Sequence, residues 1–460
     1  MGSLTHPKSS AQCAARADGL KIFRRAPIDQ QTGCGESTPF LPEARQPKLW
    51  PQIIAHQTMD PEPTASEKLF EEPPDFSLVL GGPLYQIYRR SHLSGDALEL
   101  LRRRVLVICL FVWLPPFALA ALEGRAWGGA VQVPFLWDVH AQGRFLVALP
   151  LFIAAEWVVH REMRLLVRQF IERALVPPVA RPRFDAAIAS ALRLRNSVVA
   201  ELLLIAFVYV VGVLVIWRME AALKVPTWYA LPANGALHLT LAGWWFITVS
   251  LPLFQFILLR WYFRLFVWSR FLWQVARIDL RLVPTHPDQA GGLGFLSLVA
   301  GAFAPLLLGQ SALLASWLAG RIFFTGARLL EFKAELLAAV VLLLLFVLGP
   351  LLIFMPHLAR ARRAGLREYG SLASRYVREF DRKWRRGDAS SSEPLLGSPD
   401  LQSLADLGHS FEMVRSMRPV PFGKDTLIIL IAVILLPVLP LTLTMFSLED
   451  LLKQLLKAVF

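Results

Sequence analysis

LLAAVVLLLLFVLGPLLIFMPHLA, residues 336–359, holds twenty-four consecutive positions without an aspartate, glutamate, lysine or arginine. About 20 mostly apolar residues in a helix cross the ~30 Å hydrocarbon layer of a bilayer. This stretch therefore reads as a transmembrane helix, since in lipid every backbone N–H and C=O must be satisfied within the segment. Six more stretches meet or approach the same test: 105–122, 142–160, 197–217, 236–259, 293–320 and 426–446. The second is the weakest, because Arg144 and Glu156 leave only eleven uncharged residues between them. The expected fold class is all-α, a polytopic transmembrane bundle of about seven spans.

Composition agrees. Of 460 residues, 55% are hydrophobic and 18% charged, against about 25% charged in soluble domains. The net charge of +13 would suit nucleic acid, but no recognition module is visible. Lysine and arginine also accumulate in the cytoplasmic loops of membrane proteins. With Arg144 counted on the segment before its span, alternate segments hold 39 and 9 of the 48 lysines and arginines. That alternation predicts a cytoplasmic N-terminus and an external C-terminus. Trp113, Trp127 and Trp137 are expected at the outer end of span one, with Trp217, Trp228 and Tyr229 at the outer ends of spans three and four. Trp261, Tyr262, Trp268 and Trp273 would form the inner belt.

The expected domains are a disordered leader at 1–75, a bundle with helical loops at 76–359, a basic cytoplasmic helical region at 360–425, and a seventh span with an interfacial helix at 426–460. The leader is polar and lacks the apolar core of a signal peptide; its composition admits a start at Met59. Cys13, Cys34 and Cys109 form no CxxC pair and read as reduced. In the region after span six, Ser398 and Pro399 are placed to open a helix that ends near Met417. At the end of the chain, Leu448, Leu451, Leu452, Leu455, Leu456 and Val459 make an apolar stripe suited to a leaflet surface.

Three segments together carry a resemblance. They are His286-Pro287-Asp288 followed by Gly291-Gly292-Leu293-Gly294-Phe295-Leu296, the run DLQSLADLGHSFEMVRSMRPVPFGKD at 400–425, and the terminal LEDLLKQLLKAVF. The chain resembles a family of uncharacterised bacterial multi-pass integral membrane proteins. The resemblance implies a bacterial inner (plasma) membrane location and brings no activity, ligand or catalytic residue.

Ionisable groups inside spans are costly and often functional. Glu156, His160, Glu201, Arg260 and Arg264 all fall near the cytoplasmic ends of their spans, and Gln310 near the middle of span five. They form a candidate polar site or proton relay; the structural reading is that the glutamates neutralise arginines where helices pack. His286 and Asp288, beside Gly291, Gly292 and Gly294, make an elbow at the mouth of span five that an anion or metal could occupy. The plain reading is punctuation by Pro and Gly. Arg270, Arg277 and Arg281 fall on one helical face by the 3.6 period, suited to anionic headgroups or a protein partner. The sequence offers no HExxH, GxSxG, Walker loop or haem motif, so no catalytic residue, metal or cofactor is expected. The favoured function is a non-catalytic membrane component, a scaffold or sensor subunit bound to membrane lipids. A small-solute or ion transporter is the alternative, and an enzyme built on His286, Asp288 and His160 comes third.

Overall fold

Helices account for nearly all regular structure in the computed structural model, which describes residues 76–81, 100–128, 131–216, 226–233, 236–387 and 394–445. All of these belong to the unit Pro63–Phe460. The leader with Cys13, Cys34 and Met59, Trp217, Phe446 and the terminal amphipathic stripe lie outside the described residues.

Five helices are long and apolar enough to cross a membrane: α1 (Leu101–Leu122), α2 (Val139–Glu172), α5 (Leu241–Ala276), α7 (Ala304–Thr325) and α8 (Leu329–Arg385). Two bent pairs raise the number to as many as seven if each pair is one broken span. In one, a 3₁₀ turn and α3 (Arg181–Arg195) meet α4 (Val198–Phe207) and its π-helical extension (Val208–Ile216) at a 45° bend. In the other, α10 (Lys424–Leu435) meets α11 (Leu439–Met445) at 61°, around Pro437. The protein is a multi-pass helical membrane protein. Large apolar side chains such as Leu202 and Leu203 on α4, and Leu337 and Leu342 on α8, are exposed, as a lipid-facing surface requires.

Several helices begin at side-chain caps. Asp138 accepts from the Ala141 N–H at the start of α2, Ser197 from Ala200 ahead of α4, and Thr240 from Gly243 ahead of α5. Each satisfies a donor that the helix leaves orphaned. Thr240 also corrects the expected start of span four at Ala236. Ala236–Leu239 is instead a strand (β2) paired antiparallel with Ala230–Ala233 (β1). The expected start of span five at Leu293 is likewise corrected: a short α6 (Leu296–Ala302) stops at Phe303, ahead of Pro305, and α7 then runs five residues beyond Gly320.

Proline shapes the spans in a regular way. It lacks an N–H, and its ring crowds the carbonyl of residue i−4. The ladder widens into π turns just before Pro150, at Gly143–Ala148, and just before Pro252, at Phe246–Ser250. Near Pro350 it tightens into a 3₁₀ segment, Gly349–Phe354.

Packing between the helices is aromatic and close. Phe145, Phe152, Phe254, Trp261 and Phe303 are buried in the core; the Trp261 Nε1–H donates to the Phe152 carbonyl at 3.0 Å. At Gly309 on α7, an added Cβ would lie 2.5 Å from the Phe152 ring, so α2 and α7 touch there through a missing side chain. Gly301, by contrast, faces open space. Of the residues expected in the aromatic belts, Trp127, Trp137 and Trp273 are exposed, as a belt requires. The expectation is corrected at Trp228, Trp261 and Trp268, which are buried in the core.

The sixth span does not stop at the bilayer. α8 is 57 residues long, or roughly 85 Å at 1.5 Å per residue, far more than a bilayer needs. Its far half forms a helical hairpin with α9 (Pro399–Ser416), which opens at Ser398 as the sequence predicts. Gly365 of α8 sits against Pro284 and Val414, with a would-be Cβ 2.7 and 2.9 Å away. At the hairpin's tip, Asp400 accepts from Lys383 Nζ at 2.7 Å and from Trp384 Nε1 at 3.1 Å. Those two donors hold its carboxyl below the usual carboxylate range.

Candidate functional site

One end of the bundle gathers most of the predicted polar residues. Glu156, on the buried face of α2, accepts from Arg264 of α5 at 2.7 Å and from Arg104 of α1 at 2.8 Å. All three side chains are under a tenth exposed. Arg104 also points Nη2 at the Ile153 carbonyl, 3.4 Å away, and the Arg264 guanidinium lies 4.8 Å from the centre of the Trp261 ring. One turn earlier on α5, Arg260 meets Glu201 of α4 at 3.3 Å, again buried. The glutamates do neutralise arginines where helices pack.

The segment 76–81 completes the cluster. Phe76, Ser77, Leu78 and Val79 are buried, and Phe76 packs at a tilt against the Phe271 and Trp268 rings of α5. Ser77 bonds His160 Nδ1 through its hydroxyl at 2.8 Å and accepts from Arg195 through its carbonyl. The Gly81 carbonyl accepts from Arg260 at 3.2 Å. Four arginines thus face two glutamates, and the carbonyls of Ile153, Ser77 and Gly81 accept from Arg104, Arg195 and Arg260. The cavity among Leu78, Arg195, Glu201, Arg260 and Arg264 measures about 10 Å³, at most the room of one water.

Sequence reading missed Arg104, Arg195 and the 76–81 segment. For Arg104 a signal existed: it shares a four-residue row with Ile108, Val112, Pro116 and Ala120, all buried on α1. The run Arg102-Arg103-Arg104 instead reads as a cytoplasmic anchor, with span one beginning at Val105.

Gln310 is not part of this cluster. Its Nε2 donates to the Tyr262 hydroxyl at 2.9 Å, linking α7 to α5, while the neighbouring Ser311 hydroxyl donates to the Ile434 carbonyl of α10.

His286 and Asp288 also stand apart, in the loop between α5 and α6. One Asp288 oxygen accepts from the N–H groups of Ala290 and Gly292 at 2.8 and 3.1 Å, the other from Gly294 at 2.8 Å. His286 Nδ1 is 2.9 Å from the first oxygen and Arg173 Nη1 3.4 Å from the second. Arg418 braces the turn through the backbone carbonyls of Asp288 and Gln289. Burial alone would raise the Asp288 pKa; the three N–H donors and His286 outweigh it and hold the carboxyl below the usual range. Gln289, Gly291 and Gly292 all take positive φ, at 55°, 63° and 97°. The carboxylate is thus engaged by its own loop as the centre of an elbow. Among the described residues, no group of three or more His, Cys, Asp or Glu could hold a metal ion.

The three arginines expected on one helical face separate. α5 ends at Ala276, so Arg281 follows the helix rather than extending its face, and its N–H donates to the Leu175 carbonyl. The chain bends at Ile278, ahead of the Pro284 elbow. Arg270 donates to the Ser190 hydroxyl of α3 at 2.8 Å and, with Arg193 and Ser197, lines an open cleft of about 460 Å³. Exposed Arg277 covers the Trp273 ring at 3.6 Å.

The chain matches no protein-family model, no curated protein and no solved structure.

Proposed function

We propose that this protein is a non-catalytic component of a bacterial inner membrane, a scaffold or sensor subunit that presents a basic helical hairpin to the cytoplasm. The observation that carries this reading is the continuity of α8, which runs without a break from an apolar span into a projecting arm bearing Arg375, Arg378, Arg382 and Arg386. A rigid rod of that kind couples the membrane to whatever the arm touches. The bias of lysine and arginine supports a cytoplasmic N-terminus, which puts the Arg270 cleft on the side of the anionic leaflet, where each basic residue near the surface adds about 1 kcal/mol of attraction, while the arm reaches past it toward a partner. The likeness of three segments to uncharacterised bacterial membrane proteins agrees with this location.

Transport is the weaker reading. Its candidate groups Glu156, Glu201, Arg260 and Arg264 are locked in mutual ion pairs, and above them Phe145, Phe152 and Phe254 fill the core. The test is flux. The full-length protein in liposomes should pass protons and potassium no faster than protein-free vesicles. The same liposomes should retain the protein's affinity for phosphatidylglycerol, lowered by joint Arg270→Gln and Arg277→Gln substitution. A flux that Glu156→Gln abolishes would overturn the reading.

A further inference from the structure

At the opposite end of the bundle from the arginine–glutamate cluster lies a cavity of about 190 Å³. Arg144 on its wall precedes Glu156 by twelve residues on α2, roughly 18 Å along the helix, so the two sites are separate. The cavity is mainly apolar, walled by Phe246, Trp317 and Phe324, with Tyr229 at one side.

Two arginines line it. Arg144 is buried, its guanidinium within about 6 Å of the Phe246 and Phe254 rings and its Nη2 3.1 Å from His140 Nε2. Arg321 is exposed and lies over Trp317 at 5.4 Å. The one acid among the described lining residues, Asp138, is engaged by its own helix and a neighbour: Oδ1 accepts from the Ala141 N–H and Oδ2 from Trp228 Nε1. Among the described lining residues the wall thus offers two arginines against one engaged acid, and at the buried Arg144 a cation attracts an anion more strongly than it does in water.

A second observation is conformational. Arg144 and Phe246, on different helices, both stand in π-helical turns, a rare geometry that recurs at functional sites. Gly320, between Trp317 and Arg321, leaves open space where a side chain would project. Gly320 is itself one of the residues lining the cavity.

We propose that this cavity binds an amphipathic anion, with an oxyanion head between Arg144 and Arg321 and a short apolar body against Phe246, Trp317 and Phe324. Planar guanidinium groups suit carboxylate and phosphate heads by bidentate bonding. The aromatic walls exclude water and favour a ligand with a hydrocarbon part.

The experiment is calorimetric titration of the full-length protein in neutral phosphatidylcholine nanodiscs with hexyl phosphate, against empty nanodiscs. We expect saturable binding of one hexyl phosphate per chain. Arg321→Gln and Gly320→Phe should each weaken it about tenfold or more, the equivalent of one charge-assisted contact. Both positions are open, so melting behaviour should stay that of the unaltered protein. Inorganic phosphate and hexanol, each lacking one half of the ligand, should bind at least about tenfold more weakly. A second titration in nanodiscs doped with phosphatidylglycerol distinguishes the source. Loss of hexyl phosphate binding assigns the site to a lipid headgroup, and unchanged binding to a soluble amphiphile. Absence of saturable binding, equal binding of hexanol or of inorganic phosphate, or wild-type affinity in both variants would overturn the proposal.

Discussion

Arg104 and Glu156 meet at 2.8 Å with neither side chain more than a tenth exposed, joining the first residues of α1 to the middle of α2. Arg264 closes the same carboxylate from the other side. Removing the charge of Glu156 leaves two buried guanidinium groups facing each other. Breaking a buried pair in this way costs about 3–5 kcal/mol, whereas replacing the whole set with apolar residues is often neutral. We therefore expect Glu156→Gln to lower the melting temperature in detergent sharply. The triple variant Arg104→Met, Glu156→Leu, Arg264→Met should regain much of the loss. A melt of Glu156→Gln matching the unaltered protein would contradict the ion-pair account.

The elbow before α6 depends on a backbone that only glycine adopts readily. Gly292 sits at φ +97°, and its would-be Cβ lies 2.8 Å from Leu175. Gly292→Ala should cost about 1–3 kcal/mol through strain alone. The companion Gly301→Ala, in open space within α6, should be neutral or add up to about 1 kcal/mol of stability. Thermal melts of the two variants side by side provide the check.

Asp288 gives this elbow a pH dependence of definite sign. Its carboxyl is held below its ordinary value of 3.8, so the folded state binds fewer protons than the unfolded chain. The stability this contributes is complete above pH 3.8 and is lost as the pH falls through the depressed folded value. Hydrogen exchange at the amides of Ala290, Gly292 and Gly294 should stay slow from neutral pH down to about that point. In Asp288→Asn the same amides should exchange faster even at neutral pH. Equal protection in both proteins would remove Asp288 from the centre of the turn.

Gly309 tests the closest approach of α2 and α7. A Cβ there would enter the Phe152 ring at 2.5 Å, and overpacking a tight core costs about 1–3 kcal/mol. Gly309→Leu should therefore destabilise the protein, with Phe152→Ala in the same chain relieving part of the strain. Additive losses would mean that the two side chains do not compete for the same space.

Much of the architecture was legible because lipid imposes a simple code. Long uncharged runs gave α1, α5, α7 and the first part of α8, and a shorter apolar run gave α2. Ser398-Pro399 gave α9, because a cap and a preset φ act locally. The ends of elements were harder. Ala236 to Leu239 is as apolar as a span, and only the Thr240 cap separates strand from helix.

Within the polar cluster, Glu156, Glu201, Arg260 and Arg264 were legible as charges inside spans. Arg104 and Arg195 were not, because arginines at span ends ordinarily anchor to headgroups. Nor could sequence reveal what engages Asp288: Arg173 and Arg418 lie more than a hundred residues away along the chain. The π turns are tied to Pro150 and Pro252, yet the cavity they help to shape needs the packed bundle to exist.

The account rests on helices that cross a membrane with the basic hairpin on the inner side. Paired cysteine labelling tests this most directly. In a background with Cys13, Cys34 and Cys109 replaced by alanine, Trp137→Cys and Arg386→Cys place single thiols at exposed positions beyond opposite ends of the spans. A membrane-impermeant maleimide on intact cells should label the thiol at 137, and label that at 386 only after permeabilisation. Labelling of both thiols in intact cells, or of neither until permeabilisation, would contradict the account.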